Sequence, residues 1–493
     1  MTSLLFASAS QLAQMIRDHK VSAVEVLEAY LTQISKHNVE LSAICTLDEE
    51  HARSRADAAD EALSKGEWWG DLHGVPITVK DIFETSGLRT TAGYKPLREY
   101  VPKRDAVVVS RLKSAGAIVI GKTNPAELAS DWQGLNSLFP RVNNPWNLKY
   151  TPGGSSSGSA AAITAGLSPL DIGDDFGGSV RQPAHFCGIY SLKPTDRRVP
   201  TTGHIPEMPG TATRSIRQML TIGPLARSVE DLKLCLRLIA GPDSSQPSIP
   251  PVPLDIPDKR SLNKLRIAWA DEISPFFVDT QTRTTMQAVA RALEASGCVV
   301  EDWQPDFDFV AAWQIGFEVS VYNTVHAYPV AAEGATRKIA FMWREATQGE
   351  ARLRQLGNIP KMAVPIFLKS SLKGYFTALT QRDELVARMD SAIEPWDVCL
   401  LPVAMTSAFP HCPMGQSVLV NERKVPYMMA NGAYTGFFST SGHPVVVIPI
   451  GRTIEGLPIG MQIVGKRWRE IELLEISQAI DECVGDFQHP SGY

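Results

Sequence analysis

The feature that most constrains this chain is a glycine- and serine-rich turn that passes directly into a helix-forming stretch. It reads TPGGSSSGSAAAITAG over residues 151–166, and its second half consists largely of strong helix formers. Gly166 is placed to act as a helix C-cap, and Pro169 closes the segment. A flexible linker does not continue in this way. The segment therefore predicts a rigid turn that aims backbone N–H groups and hydroxyls at whatever lies above the helix N-terminus.

A second turn of the same kind follows shortly afterwards. It lies in DIGDDFGGSVRQPAHFCG, residues 171–188, and again places a serine directly after two glycines. Glycine lets a backbone approach a ligand closely, and serine supplies a nucleophilic hydroxyl. Two such turns so close together predict a site rather than a linker.

Elsewhere the chain alternates between helix-like and strand-like patterns. VSAVEVLEAYLTQISKHN offers Ser22 as an N-cap with Glu25 three residues later, and apolar residues recur at helical spacing. Short β-branched runs bounded by Gly and Pro predict buried strands. They are HGVPITVKDIF (73–83), AGAIVIGKT (115–123), LRIAWA (265–270) and GHPVVVIPIG (442–451). The alternation indicates an α/β fold.

Composition limits the classes of partner. Of the 493 residues, 44% are hydrophobic and 20% charged, which suits a chain with a sizeable core, in one large domain or several. A net charge of -5 gives no broad electrostatic footprint for nucleic acid or an anionic membrane, so a neutral small molecule is the expected partner. Seven scattered cysteines without a C-x-x-C pair predict neither a disulfide framework nor a zinc site. With no signal-peptide pattern and no membrane-length apolar run, we expect a cytoplasmic protein.

Two short motifs compete with this interpretation. GAIVIGKT (116–123) matches the phosphate-loop pattern G-x-x-x-x-G-K-[ST], but its four central residues favour a strand over the turn that cradles phosphate. Gly154, Ser156 and Gly158 match G-x-S-x-G, the pattern of a nucleophile elbow. An elbow needs a strand leading straight into the turn and a histidine base, for which His411 or His443 would have to serve. Both motifs remain as weaker alternatives.

Taken together, these segments resemble the amidase signature family. The family's signature resembles residues 151–195 almost continuously, and HGVPITVKDIF resembles its lysine strand. Further matching segments are GKTN (121–124), NNPWN (143–147) and GLPIGMQIVG (456–465). The resemblance is weakest at about 240–390. It implies one amidase domain over residues 1–493, with a large mixed, mostly parallel twisted sheet covered by helices on both faces.

The resemblance also implies an activity, the hydrolysis of carboxylic amides to an acid plus ammonia or an amine, with no metal or cofactor. It makes Lys80 the catalytic lysine, Ser155 the bridging serine after a cis peptide bond, and Ser179 the nucleophile. The implied oxyanion hole is made by the backbone N–H groups of Phe176, Gly177, Gly178 and Ser179. The chemistry is consistent, because a serine needs a base to remove its proton and a buried lysine with a lowered pKa can supply one.

Other residues are expected to support this centre. A Pro/Ser-rich segment at 241–259 is predicted to be a surface connection. Asp81 is an alternative, purely structural partner for Lys80. Three further residues, Ser156, Asp175 and Arg181, are expected to support the triad, with the last two forming an ion pair. The expected substrate pocket is formed by Ala129, Ser130 and Trp132, with Leu135, Leu138 and Phe139 nearby making its acyl side apolar.

Three departures from the family pattern stand out: Pro125, Pro140 and Asp174, the last where threonine is usual. Asp174 is expected to change the hydration of the oxyanion loop. A second function also fits the family, that of the glutamine-hydrolysing component of a tRNA-dependent amidotransferase. The tyrosine-rich segment of that component is not found around 340–380, which favours a stand-alone amidase, as a monomer or a homodimer. A binding protein without catalysis is a weaker third alternative, because all three catalytic positions are present.

Overall fold

The predicted lysine strand lies in a small three-stranded sheet. The structure, a computed structural model, describes residues 2–210, 214–257, 261–306, 308–327, 372–485 and 487–493. The strands of the small sheet are β1 (Ile44–Leu47), β2 (Pro76–Lys80) and β3 (Ile118–Thr123). Strand β2 runs parallel to β3, and β1 pairs antiparallel to the other side of β3. Both strands predicted in this region are confirmed, and Lys80 is the last residue of β2.

A larger eight-stranded sheet forms the centre of the fold, in the order β4-β6-β5-β12-β13-β9-β7-β8. Its strands are β4 (Leu170–Asp175), β5 (Tyr190–Lys193), β6 (Thr221–Ala226), β7 (Arg266–Trp269), β8 (Val299–Asp302), β9 (Val398–Pro402), β12 (Val445–Arg452) and β13 (Pro458–Val464). A separate hairpin joins β10 (Val418–Val420) to β11 (Arg423–Val425). The mixed α/β class is confirmed, as are the strands predicted at 265–270 and 442–451.

The large sheet is mixed, as expected, but most of its neighbouring strands are antiparallel and not parallel. Five of the seven neighbouring pairs in the large sheet are antiparallel, and only β7 pairs parallel, with β8 and β9. One reason is the tight turn between β12 and β13, which includes Gly456 at a φ of 82° and forces an antiparallel hairpin. The other is that β6 inserts between β4 and β5, so those two strands share a direction without being neighbours.

Helices cover the sheet. They are α1 (Thr2–Leu5), α2 (Ala9–Arg17), α3 (Ala23–Leu41), α4 (Glu49–Ser64), α5 (Val107–Ser114), α6 (Ser157–Thr164), α7 (Arg181–Cys187), α8 (Val229–Ile239), α9 (Thr280–Ala295), α10 (Phe309–Ala327), α11 (Leu372–Ile393), α12 (Tyr427–Ser441) and α13 (Glu470–Val484). Short 3₁₀ turns occupy Lys95–Leu97 and Glu127–Ala129. In the described part of the chain, no helix has the length and apolar character needed to cross a membrane.

Strand β12 shows that helices pack on both faces of the sheet. Successive side chains of a strand point to opposite faces. Val446 and Ile448 lie in one buried apolar cluster with Leu474 of α13. Val447, between them, lies in a different cluster with Ile163 of α6. The large sheet is therefore a central layer between two layers of helices.

The local signals in the sequence hold at the two helices where they are strongest. Helix α3 is capped by Ser22, whose side chain accepts from the Glu25 N–H while the Glu25 carboxylate accepts from the Ser22 N–H. Helix α6 follows directly on the serine turn and is buried along its whole length. Gly166 stands just beyond its end with a φ of 69°. The first glycine–serine turn is thus held rigidly between a helix and the sheet.

Candidate active site

The phosphate-loop alternative is excluded by the position of its residues. Lys122 and the two residues beside it belong to strand β3, so no loop exists there to cradle a phosphate. The Lys122 ammonium is buried and donates to the carbonyl of Phe83 and to Thr85 Oγ1. Its role is to hold the chain that follows β2.

The nucleophile-elbow alternative fails because neither histidine considered as its base contacts Ser156. Ser156 Oγ accepts a hydrogen bond from Lys80 Nζ at 3.0 Å. The two histidines considered as its base lie with other partners. His411 Nε2 is 3.0 Å from Asn143 Oδ1, and His443 Nε2 is 3.1 Å from Asp390 Oδ1.

Lys80 lies at the centre of the predicted triad. Its side chain is buried, and Nζ lies 2.7 Å from Ser155 Oγ. The peptide bond between Gly154 and Ser155 is cis, as the family resemblance implied. The Ser155 carbonyl accepts from the Ala126 N–H at 3.1 Å, which fixes the turn against the chain after β3. A lysine amine in this position can take a proton from Ser155.

Ser179 is brought to the same place by the second turn. It lies between β4 and α7, and its carbonyl accepts from the Ser156 N–H at 3.2 Å. Its residue surface is 7% exposed, which leaves a narrow access for substrate. The hydrogen bond between the Ser156 N–H and the Ser179 carbonyl joins the two glycine–serine turns. The backbone of Ser179 therefore lies beside the turn that holds Ser155, although the two residues come from separate segments.

The second turn is braced by a buried ion pair between Asp175 and Arg181. Arg181 Nη2 lies 2.8 Å from Asp175 Oδ1, Nε lies 2.9 Å from Oδ2, and both side chains are buried. Burial alone would raise the pKa of Asp175, but the Arg181 guanidinium outweighs it and holds that pKa below its ordinary value. Arg181 also donates to the Thr435 carbonyl and to Ser439 Oγ. The expected supporting pair is present and anchors the turn to α12.

The backbone donors of the turn divide into two kinds. The Gly178 N–H donates to Asp175 Oδ1 at 2.8 Å, so it is already occupied. This differs from the expectation that all four N–H groups face the substrate, because the carboxylate accepts at the turn as well as at Arg181. Among the described residues, no acceptor contacts the N–H groups of Phe176, Gly177 and Ser179. These three donors are the ones left for an oxyanion.

Asp174, expected from the sequence to affect the oxyanion loop, contacts Lys80 in the structure. Its Oδ1 lies 2.5 Å from Lys80 Nζ, and its Oδ2 lies 3.4 Å from His204 Nε2. Burial lowers the pKa of Lys80 below its ordinary value, although Asp174 opposes that shift. Burial would raise the pKa of Asp174, but Lys80 and His204 together bring it below its ordinary value. Asp174 thus contacts the lysine itself, and Asp81, the alternative partner, accepts instead from Thr91.

His204 is a residue that sequence reasoning missed. It lies in no recognisable motif, and only the fold brings it to Asp174. The segment around it is bonded to the chain that follows Lys80, since the Ile205 N–H donates to the Ile82 carbonyl at 2.8 Å. The Glu84 N–H donates in return to the Gly203 carbonyl at 2.9 Å.

The expected substrate pocket is only partly assembled around the turn. Trp132 Nε1 donates to the Gly177 carbonyl at 3.3 Å, which places the indole against the second turn. Ser130 Oγ donates to the Glu127 carbonyl, next to Ala129 in the same 3₁₀ turn region. Leu135 is 39% exposed, and the Phe139 ring lies under the Arg89 guanidinium. Most of the segment around 340–380 falls outside the described residues.

Comparison with known proteins agrees with this geometry. A family model described as Amidase matches residues 25–474. The chain is 32% identical over 486 residues to a glutamyl-tRNA(Gln) amidotransferase subunit from Marinomonas sp. (strain MWYL1), covering 95% of each chain. A solved structure from a vestigial protein complex linked to the origins of an s-triazine catabolic enzyme is 28% identical, with a TM-score of 0.78 over 98% of this chain and 99% of that one. A 6-aminohexanoate cyclic dimer hydrolase, at 24% identity and a TM-score of 0.79 over 99% of both chains, shares the fold.

Proposed function

Because the chain belongs to the amidase signature family, a family of amide hydrolases, we propose that it cleaves carboxylic amides through an acyl-enzyme on Ser179. The observation that carries this proposal is the hydrogen bond of 2.7 Å between Lys80 Nζ and Ser155 Oγ. The bond from the Ser156 N–H to the Ser179 carbonyl brings the backbone of the proposed nucleophile beside that pair. These contacts support the assignment of a nucleophile, a relay and a base to Ser179, Ser155 and Lys80.

In the first half of the reaction, Ser179 Oγ attacks the amide carbon. Its proton passes to Ser155 Oγ, while the proton of Ser155 passes to Lys80 Nζ. The new oxyanion accepts from the remaining N–H groups of the turn, those of Phe176, Gly177 and Ser179. When the C–N bond breaks, the leaving nitrogen takes a proton from Ser155, and Lys80 returns one to Ser155. The amine departs and the acyl group remains as an ester on Ser179.

In the second half, water attacks this ester and gives its proton to the same relay. Ser179 recovers its proton through Ser155 as the acid leaves. Over the cycle one amide bond and one water are consumed, and no proton is gained or lost by the enzyme. No step in this sequence calls for a cofactor.

Covalent labelling tests the proposal directly. A fluorophosphonate should modify Ser179 in the native chain, located by peptide mass mapping, and Ser179→Ala should abolish the label. Lys80→Ala should fold, by circular dichroism, and lose at least about a hundredfold in kcat/KM, the lower end for removing an acid–base group. Label on Ser156 with Ser179 untouched, or near-normal activity of folded Lys80→Ala, would contradict it.

A second candidate is favoured by the named relatives, which belong to glutamyl-tRNA(Gln) amidotransferases. In that case the chain would release ammonia from glutamine only in the presence of partner subunits. We propose the stand-alone amidase, in the cytoplasm, because the tyrosine-rich segment is not found in the sequence and all described cysteines are free. The purified chain should hydrolyse simple aliphatic or aryl amides by itself. Activity confined to glutamine and to co-purifying subunits would favour the second candidate.

A further inference from the structure

The buried contacts of Lys80 favour a charged ammonium, whereas the proposed reaction needs a neutral amine. Nζ lies within 3.0 Å of three oxygens, those of Ser155, Ser156 and Asp174. Three acceptors suit an ammonium, which has three N–H donors. The carboxylate of Asp174 favours that charged form. A lysine that must accept a proton from Ser155, however, has to begin as a neutral amine.

His204 is the nearest group placed to balance the Asp174 carboxylate. Its Nδ1 lies 3.0 Å from the Pro206 carbonyl, and a carbonyl can only accept, so Nδ1 carries a hydrogen. Nε2, on the other side of the ring, faces the Asp174 carboxylate at 3.4 Å. With a bare Nε2, two electron-rich atoms would face each other. Nε2 lies at an ion-pair distance from the carboxylate but forms no hydrogen bond with it, and a proton on Nε2 would turn this repulsion into attraction.

We propose that Asp174 and His204 are positioning residues for this amidase, in which the His204 imidazolium neutralises Asp174 so that Lys80 serves as a neutral amine. The inference rests on the proposed function, because it concerns the base of the same relay. With both partners in place, Asp174 orients the amine towards Ser155, and its charge is balanced by the histidine. Without His204, the carboxylate would hold Lys80 as an ammonium.

Other charged groups around the cluster have partners of their own. Asp171 accepts from Thr78 Oγ1 at 2.6 Å, and burial raises its pKa to about 6. Asp175 is paired with Arg181. His204 also borders a cavity of about 160 Å³, whose other charged lining residues are Glu84, Glu207 and Arg214. The contact between Asp174 and Lys80 is therefore the one that His204 can modulate directly.

The test is the acid limb of the pH profile of kcat/KM, which reports loss of the proton from Lys80 in the free enzyme. Asp174→Asn keeps an oxygen acceptor but removes the charge, and should move the limb to lower pH by about one unit or more. His204→Gln keeps a donor but removes the imidazolium, and should move it to higher pH by a similar amount. In the Asp174→Asn background, His204→Gln should have no further effect.

Two controls keep the test specific. Asp174→Glu retains the carboxylate and should keep the limb close to its native position. His443→Gln changes another buried histidine paired with an aspartate, Asp390, and should leave the limb unmoved. Thermal unfolding shows whether each variant folds, and Asp174→Thr replaces any Asn variant that does not.

The inference is overturned if Asp174→Asn leaves the acid limb of the kcat/KM profile at its native pH. It is also overturned if His204→Gln shifts that limb equally in the native chain and in the Asp174→Asn variant. The proposed function is judged separately, because fluorophosphonate labelling of Ser179 and the inactivity of Lys80→Ala do not depend on where the limb lies.

Discussion

Asp175 and Arg181 form a fully buried ion pair, and removing its carboxylate tests what that pair contributes to stability. We expect Asp175→Asn to lower the free energy of unfolding by about 3–5 kcal/mol, because it leaves the Arg181 guanidinium buried and unpaired. Denaturant unfolding at neutral pH measures the loss. Arg53→Gln, which breaks exposed ion pairs with Glu28 and Glu49, is the control and should change stability far less. An equal loss of unfolding free energy in the two variants would show that the buried pair stabilises the fold no more than an exposed one.

The same pair gives a pH dependence with a defined sign. The pKa of Asp175 is lowered in the folded chain, so its contribution to stability is present above the unfolded pKa of about 3.9. It is lost as pH falls towards the folded pKa. The stability difference between the native chain and Asp175→Asn should therefore narrow below about pH 4. A difference that stays constant down to the lowest accessible pH would argue against this origin.

Trp132 is the residue on which acyl preference can be tested. Its indole lies against Gly177 and packs edge-on to Tyr427. Trp132→Ala should lower kcat/KM for apolar acyl amides by about tenfold or more, given the 1.5–3 kcal/mol gained by burying an aromatic or aliphatic group, and should affect acetamide less. Leu148→Ala, at an exposed position outside the expected pocket, is the control. Similar losses for all acyl groups would mean that Trp132 supports the turn without contacting substrate.

At the scale of elements, the turn between β4 and α7 depends on one glycine more than on its neighbour. Gly178 has a φ of 114°, and a Cβ there would lie 2.6 Å from Thr435 Oγ1. At Gly177 a Cβ would meet only Trp132 Cζ2, at 3.7 Å. Gly178→Ala should therefore lower kcat/KM by about a hundredfold, because a displacement of about 1 Å near the reacting groups is enough to do so. Gly177→Ala should retain more activity, and a reversed order would refute this account of the turn.

The elements themselves were largely predictable, and their pairing was not. Ser22, Gly166 and the apolar run ending at Lys80 carry local signals, and the helices and strand predicted from them are present. The direction of strand neighbours depends on contacts between distant segments, which is why the antiparallel balance was missed. The site divides in the same way. Its serines and glycines belong to a motif, whereas Asp174 and His204 meet Lys80 only through the fold.

At the scale of the whole molecule, the connection at 241–257 does not separate two sheets. Strands β4 to β6 precede it, strands β7 to β9 and β12 to β13 follow it, and all belong to one sheet. We propose that the chain is a single domain. A protease that cuts within 241–257 should leave two fragments that stay together in gel filtration, and thermal unfolding of the uncut chain should show one transition. Fragments that separate without denaturant would indicate two independent units.

The junction between β5 and β12 has a further consequence for how the protein is made. Lys193 Nζ donates to the His443 carbonyl, 250 positions later in the chain, and β5 pairs with β12 beside this bond. On the ribosome, at about 5–20 residues per second, β5 therefore waits roughly 10–50 s for its neighbour. Throughout that interval a buried strand presents an unpaired edge to other nascent chains. The yield of active protein should thus depend on translation speed and on chaperones that cover this edge until synthesis ends.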